Sequence, residues 1–375
     1  MALRNSKGLL VRWSALAPVG LIAVFLIGAA RAADQQVAQA GAARARADAV
    51  LSIPGRVTML AADGNRAAVT TKVKRACARR IVVWSAPGRR SASIKPGILG
   101  CSWDGITQLA VGDGRVGWIE EGGGNNLEMT VMNARLGGGA AKQIEYETNG
   151  DRAGGDPTGD WVGQIFGGGS VLAYNSWSQT CDRPADEQCG ESDPHLHLAG
   201  EKLVRIAAGH RLVVVRGPAA YPLTAVGGGR MAINAAGTVT IRAASGAQVA
   251  TVDAGGSVRA VALSKTRLAI ERTSTLDLYD PATGAAVKSV SLGSAAALRL
   301  ADISSRLALL RGAHRLVVIR LSDGKLISFP LRTGAAATLV GARLTEAGLF
   351  YAYNTRSALP GRIVFESLGK LLARF

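Results

Sequence analysis

The residue types able to do chemistry crowd into one stretch of the chain. Cys181, Cys189, Glu191, Asp193, His195 and His197 fall within 17 consecutive residues. A His-x-His pair beside a carboxylate or thiolates is a donor set that zinc accepts, which makes Asp193, His195 and His197 metal candidates. The spacing is C-x7-C-x5-H-x-H, without the C-x2-C knuckle of a structural zinc site. The expected arrangement is therefore a disulfide-closed loop with exposed histidines.

Asp151, Asp156 and Asp160 lie in a Gly- and Asp-rich segment. Their carboxylates suit a hard cation, but the D-x-D-x-D-G order is missing and a turn-rich loop is expected. No G-x-S-x-G elbow occurs, and the four histidines have no placed partner for a Ser-His-Asp triad. Glu120 and Glu121 are neighbours in a strand-like run, which points them to opposite sides. His210 and His314 each precede an arginine at the start of an apolar run and read as edge residues. The runs Gly122 to Gly124, Gly137 to Gly139, Gly167 to Gly169 and Gly227 to Gly229 have neither G-x-G-x-x-G nor a following Lys-Ser/Thr. They read as hairpin turns that need positive φ. No catalytic residue, cofactor or metal ligand is assigned.

The elements that must position these residues are short strands. From Val258 to Leu292 apolar residues alternate in VRAVALS, RLAIERT and LDLYD, separated by Ser264-Lys265-Thr266, Thr273-Ser274 and Pro281-Ala282-Thr283-Gly284. Period two with turns at this spacing predicts an antiparallel meander of four strands. Similar units recur, with second strands beginning near Arg66, Arg115, Ser170, Arg230, Arg267, Arg306 and Gly348. The last three steps are 37, 39 and 42 residues, close to the ~40–50 of a propeller blade. The earlier steps of 49, 55 and 60 each contain a visible loop. The predicted fold is all-β, a seven-bladed β-propeller of four-stranded antiparallel blades with the count fixed to within one. Residues 54–375 form its single domain, with an insertion at 178–200. The ring closes in one of two ways: Lys370 to Phe375 supplies the last outer strand, or Ala49 to Ile53 latches the seventh blade.

Residues 1–32 read as a signal peptide. Arg4, Lys7 and Arg12 precede the 16-residue apolar run Ala15 to Ala30, and Ala30-Arg31-Ala32 fits a cleavage site. The run would span about 24 Å as a helix, short of a ~30 Å hydrocarbon core, so cleavage is expected over an uncleaved anchor. Residues 33–53, rich in Ala, Gln and Arg, read as a flexible spacer. Export favours oxidation, and the four cysteines are expected as Cys77 with Cys101 and Cys181 with Cys189, one of three possible connectivities. The chain carries a net charge of +17, and +13 remains without residues 1–32. Its arginines are scattered without interleaved aromatics, which excludes a nucleic-acid partner and leaves contact with anionic surfaces.

TVTIRAASGAQVATV, TLDLYDPATGAAVKSV and RLVVIRLSDGKLISF carry the turns Ser245-Gly246, Thr283-Gly284 and Asp323-Gly324. This repeat resembles that of bacterial exported quinoprotein-like (PQQ-like) and WD40/YVTN-type propellers over roughly residues 230–335. The resemblance implies the fold. The tryptophan that docks adjacent blades in quinoprotein dehydrogenases is replaced by Ala250, Val290 and Phe329. A bound quinone is not expected.

The function expected is a non-enzymatic, monomeric binding or protein-interaction scaffold at the cell envelope, its partner an unknown protein or envelope polymer. The alternative is a propeller-type enzyme (lyase, hydrolase or quinoprotein) with a site assembled from several blades. Convergence of His, Asp, Glu and Arg at the central channel would favour it.

Overall fold

The computed structural model describes residues 48–375 except 73–78, 87–89, 97–104, 124–125, 150–156, 185–186, 188, 191, 331–336 and 356–359. The signal peptide, residues 33–47 of the spacer, Cys77, Cys101, Asp151, Asp156 and Glu191 lie outside the described residues.

Seven four-stranded antiparallel sheets succeed one another round a ring, a seven-bladed β-propeller. Blades 1 to 6 occupy 56–94, 105–148, 159–216, 223–253, 260–291 and 299–330, and blade 7 occupies 338–367. The repeat marks fall at the second strands: Arg66, Arg115, Arg230 and Gly348 open them, while Ser170, Arg267 and Arg306 precede them by one residue. The alternation works because both faces of each blade are buried against neighbours. Trp84 of blade 1, for example, meets Phe350 of blade 7 edge to face at 6.1 Å, and both are buried. Ala250, Val290 and Phe329 are also buried, on the fourth strands of blades 4, 5 and 6. The Gly284 turn of blade 5 rests against Ala250 and Thr251, and the Gly324 turn of blade 6 rests against Val290.

Closure comes from the N-terminal side. Ala49–Ile53 pairs with Gly361–Ser367 as the outermost strand of blade 7, so this part of the spacer belongs to the ring. KLLARF is not a strand: Leu368–Leu372 is a helix whose Leu371 is buried against Leu307, Leu316 and Leu349. Its Lys370 pairs with Asp48, and the Ser367 N–H donates to the Asp48 carboxylate at 2.5 Å. Burial alone would raise the Asp48 pKa, but the bonds from Lys370 and Ser367 outweigh it and leave the group below its ordinary value.

Two local devices recur at the ring's centre. Six of the seven innermost strands carry a β-bulge near their start, the exception being Ala260–Leu263. A bulge re-aims one side chain and frees a backbone group of the partner strand. At Thr58 and Thr224 the hydroxyl of the extra residue donates to the freed carbonyl, Thr70 O at 3.5 Å and Ala232 O at 3.1 Å. The N–H before the bulge is caught by a side chain of the preceding blade: Val57 by Asn354 (2.9 Å), Leu223 by Asn175 (2.5 Å) and Leu300 by Glu271 (2.7 Å). Such buried polar staples join blades through satisfied backbone groups.

The glycine runs required a second explanation. Gly169, Gly228 and Gly229 do have positive φ, as turns demand. Gly167 and Gly227 do not, and they are glycine because a neighbouring blade is too close: a Cβ would lie 2.4 Å from the Val111 carbonyl oxygen and 1.8 Å from that of Leu263.

Candidate functional site on the hairpin face

Alternating strand direction puts first-to-second and third-to-fourth turns on one face of the ring. The second-to-third turns and interblade connections lie on the other, and the insertion belongs there. Its flanks are strand rather than loop. Val171–Cys181 and Leu196–Ala207 run 11 and 12 residues and stay paired out to Cys181 opposite Leu196. At the base Trp177 packs against Tyr221, ring centroids 5.0 Å apart.

The tip is tied down several times over. Cys181 and Cys189 form a disulfide. Arg183 Nε lies 2.8 Å from Asp193 and its Nη1 3.0 Å from Glu187. The Asp182 N–H donates to the His195 carbonyl at 3.1 Å, and His197 Nε2 lies 2.8 Å from the Asp182 carboxylate. The other Asp193 oxygen accepts the His195 N–H at 2.9 Å. That bond, together with Arg183, holds the Asp193 carboxyl below its usual range. The three zinc candidates thus face different partners: Asp193 takes Arg183, His197 takes Asp182, and His195 contributes backbone. Among the described residues no group of three His, Cys, Asp or Glu converges as a metal set. Of the calcium candidates, Asp160 is described and accepts the Ser178 hydroxyl at 2.5 Å.

Charge sets the hairpin apart from the ring. Residues 181–200 hold Asp182, Asp186, Glu187, Glu191 and Asp193 against Arg183 alone, a net −4 in a chain of +17. The composition of the whole chain hides this local reversal.

Beside the hairpin, at the seam between blades 2 and 3, lies a carboxylate pair that sequence reasoning missed. Glu145 and Glu147 sit two apart in Lys142–Thr148 and so share a side of the strand. Glu145 is buried, receives Arg211 at 2.5 Å and accepts the Tyr174 hydroxyl. Burial pushes it up, but Arg211, Glu147 and Tyr174 bring it below its normal value. Glu147 moves the other way: burial first, then the bond and charge of Glu145, push it up to about 8. The two carboxyl groups are thus pushed apart, Glu145 toward the ionised form and Glu147 toward the protonated one. The only sequence signal was the i, i+2 spacing in KQIEYET. Glu120 and Glu121 do point apart, Glu120 to the Trp118 indole N–H and Glu121 to the Thr107 hydroxyl.

A pH test follows from the seam. The folded pKa of Glu147, about 8, lies above that of an ordinary glutamate, so stability falls as pH rises through the interval between the two. Glu147→Gln keeps the donor without the titration. It is expected to gain about 1 kcal/mol at pH 8.5 after allowing for solvent screening of this half-exposed group, or about 2 °C in Tm, and nothing below pH 4. Paired thermal melts at the two pH values check this, and equal gains at both would mean that Glu147 is not raised.

At the ring's centre, a cavity of about 710 Å³ opens between the innermost strands of blades 1, 2, 3, 6 and 7. The bulge residues Thr58, Thr107, Gln164, Ala301 and Val340 all line it. Its charged lining is Arg299, Arg311 and Arg343. Arg343 lies 3.1 Å from Asp302, which also accepts the Ile303 and Leu344 N–H groups at 3.0 and 3.2 Å. Burial holds Asp302 above its usual pKa despite Arg343. Asp63, near the far end, accepts the Gly169 N–H at 2.9 Å and is likewise raised by burial. Three arginines thus line the channel with Asp302 behind Arg343, while His210 lies by Lys142 on an outermost strand and His314 on an exposed turn.

No protein-family model matches the chain, and no curated protein matches it in sequence. Among solved structures, similar folds include a chain of the mitotic checkpoint complex, at 14% identity and a TM-score of 0.48 over 98% of this chain and 100% of that one. Another is Hsv2 of Kluyvelomyces marxianus, at 10% identity and a TM-score of 0.48 over 81% and 92%. The assignment of a seven-bladed β-propeller rests on this chain's own strand pairing.

Proposed function

We propose that this propeller is an exported, non-enzymatic scaffold of the quinoprotein-like repeat type that binds a protein partner through its hairpin face at the cell envelope. The observation that carries the reading is the disulfide-tied hairpin, acidic in a basic chain and projecting on strands longer than its blade needs. A tied loop gives up little conformational entropy on binding, so its contacts convert more fully into affinity. Leu198, exposed on the outer part of the hairpin, adds an apolar contact amid the charges. A disulfide also fits an oxidising compartment. Among the described residues no helix is long and apolar enough to cross a membrane.

The test is a photo-crosslinking residue at Leu198, compared with a variant whose residues 182–195 are replaced by Asn-Gly. One defined crosslinked protein from isolated envelopes, absent from the shortened variant, is the expected result. Identical products from both chains, or recovery of the protein only from cytosol with reduced thiols, would overturn the reading. Opening the disulfide with Cys181→Ser/Cys189→Ser is expected to cost about 2.5 kcal/mol, as an eight-residue closure implies. The loss should appear as faster proteolysis of the hairpin with an intact ring.

The enzyme reading has a specific observation in its favour, the neighbouring carboxylates Glu145 and Glu147, the first bonded to Tyr174 and Arg211. Turnover of any substrate that is abolished by Glu145→Gln would support it.

A further inference from the structure

The ring itself accounts for only part of the arginine cluster at the channel mouth. Arg299 and Arg311 stand directly opposite each other on neighbouring strands of blade 6, so two guanidinium groups share one side of the sheet. Like charges in that position destabilise a strand pair. Among the described residues neither forms a salt bridge. Arg311, half-buried, has one bond, from Nη2 to the Val340 carbonyl at 2.8 Å, and burial lowers its pKa. Arg311 ends the second strand of blade 6, as Glu271 and Asn354 end those of blades 5 and 7, and both of these side chains accept an N–H from the next blade. In blade 6 an acceptor has been exchanged for a cation that faces a cavity.

The surroundings are those of a ligand site. A volume of about 710 Å³ is in the range of pockets for small organic molecules. Among the described residues no carboxylate lines it, and Arg343 is already neutralised by Asp302. Gln164, set on a bulge, is exposed to the cavity, and Gln108 uses its oxygen to accept the Ile165 N–H at 2.8 Å, which leaves its amide N–H groups to donate. Met59, Leu60, Leu300 and Val340 supply apolar wall.

We propose that the channel mouth binds a small organic oxyanion, a carboxylate or phosphate monoester with an apolar body, its anionic head clamped between Arg299 and Arg311 and its body against Met59, Leu60 and Val340. The anion turns the repulsion between the two guanidinium groups into a pair of charge-assisted, bidentate bonds. The site is separate from the hairpin and does not depend on its role.

Calorimetric titration of the purified protein with benzoate, phenyl phosphate, acetate and inorganic phosphate, each against sodium chloride of equal ionic strength, tests the proposal. Saturable binding of benzoate or phenyl phosphate, tighter than that of acetate or inorganic phosphate, is expected, and the better of the two identifies the head group. Arg299→Gln and Arg311→Gln should each weaken it at least about tenfold, and Arg311→Lys, which keeps charge but not the fork, should weaken it too. Without ligand, Arg299→Gln should melt at or above the parent temperature, because a like-charge contact is relieved. Binding no stronger than chloride accounts for, or binding that survives the double Gln variant, would overturn the assignment.

Discussion

A chain that begins at Gly55 is expected to lose the larger part of its stability, although only a five-residue strand and its flank are missing from the ring. Ala49–Ile53 is the fourth strand of blade 7. Ile53 is 1% exposed and packs among Val57, Ile363 and Phe365. Without it the Gly361–Ser367 strand becomes an open edge over uncovered apolar residues, a template for aggregation. Ile53→Ala alone should cost about 2–4 kcal/mol. Loss of the whole latch, with its ladder and the Asp48 contacts to Lys370 and Ser367, should exceed about 5 kcal/mol, set against a total of about 5–15 for a typical domain. Tm should fall by more than about 10 °C, with aggregates visible in size-exclusion chromatography. A Tm within about 2 °C of the parent would mean that the ring holds without its latch.

The second large effect is expected from adding one methyl group. In Gly227→Ala the Cβ would meet the Leu263 carbonyl oxygen at 1.8 Å and its carbon at 2.5 Å. Both are backbone atoms of the next blade's innermost strand, where no side chain can swing aside. Overpacking of this kind costs about 1–3 kcal/mol where neighbours relax, and about 3 or more is expected where a ring contact must open. Gly137→Ala is the control, because its Cβ meets nothing within 4 Å and its φ is ordinary. It should stay within about 0.5 kcal/mol of the parent in urea unfolding. Equal midpoints for the two variants would mean that blades 4 and 5 are not in rigid contact at this point.

Much of the architecture was legible because a blade is a local object. Its strands are consecutive, its turns are short, and period-two alternation survives wherever both faces are buried. The seven repeat marks therefore land at the second strands although blades 1 to 3 are longer and less regular. The Cys181–Cys189 pairing was legible too, since only seven residues lie between the partners. Closure was not, because the choice between Ala49–Ile53 and the C-terminal residues depends on which segment can reach Gly361–Ser367 from more than 300 residues away. KLLARF has the apolar content of a strand, but Ala49–Ile53 already fills the edge, and Leu371 is buried instead by a helical turn over blades 6 and 7.

The candidate sites divide along the same line. By itself, the sequence determined a propeller of seven blades and the position of a cysteine-bearing insertion, since both follow from the spacing of residues close together in the chain. Tertiary structure alone decided that the insertion is an extended hairpin, that Glu145 meets Tyr174 and Arg211 from another blade, and that Arg299 faces Arg311. That last contact turns on one residue. Without the bulge at Ala301, continuing the register of Ile303 with Ala308 would set Arg299 against Gly312. A one-residue shift exchanges the sides of a strand, and bulges of this kind are set by how innermost strands pack round the channel, which residue spacing does not encode.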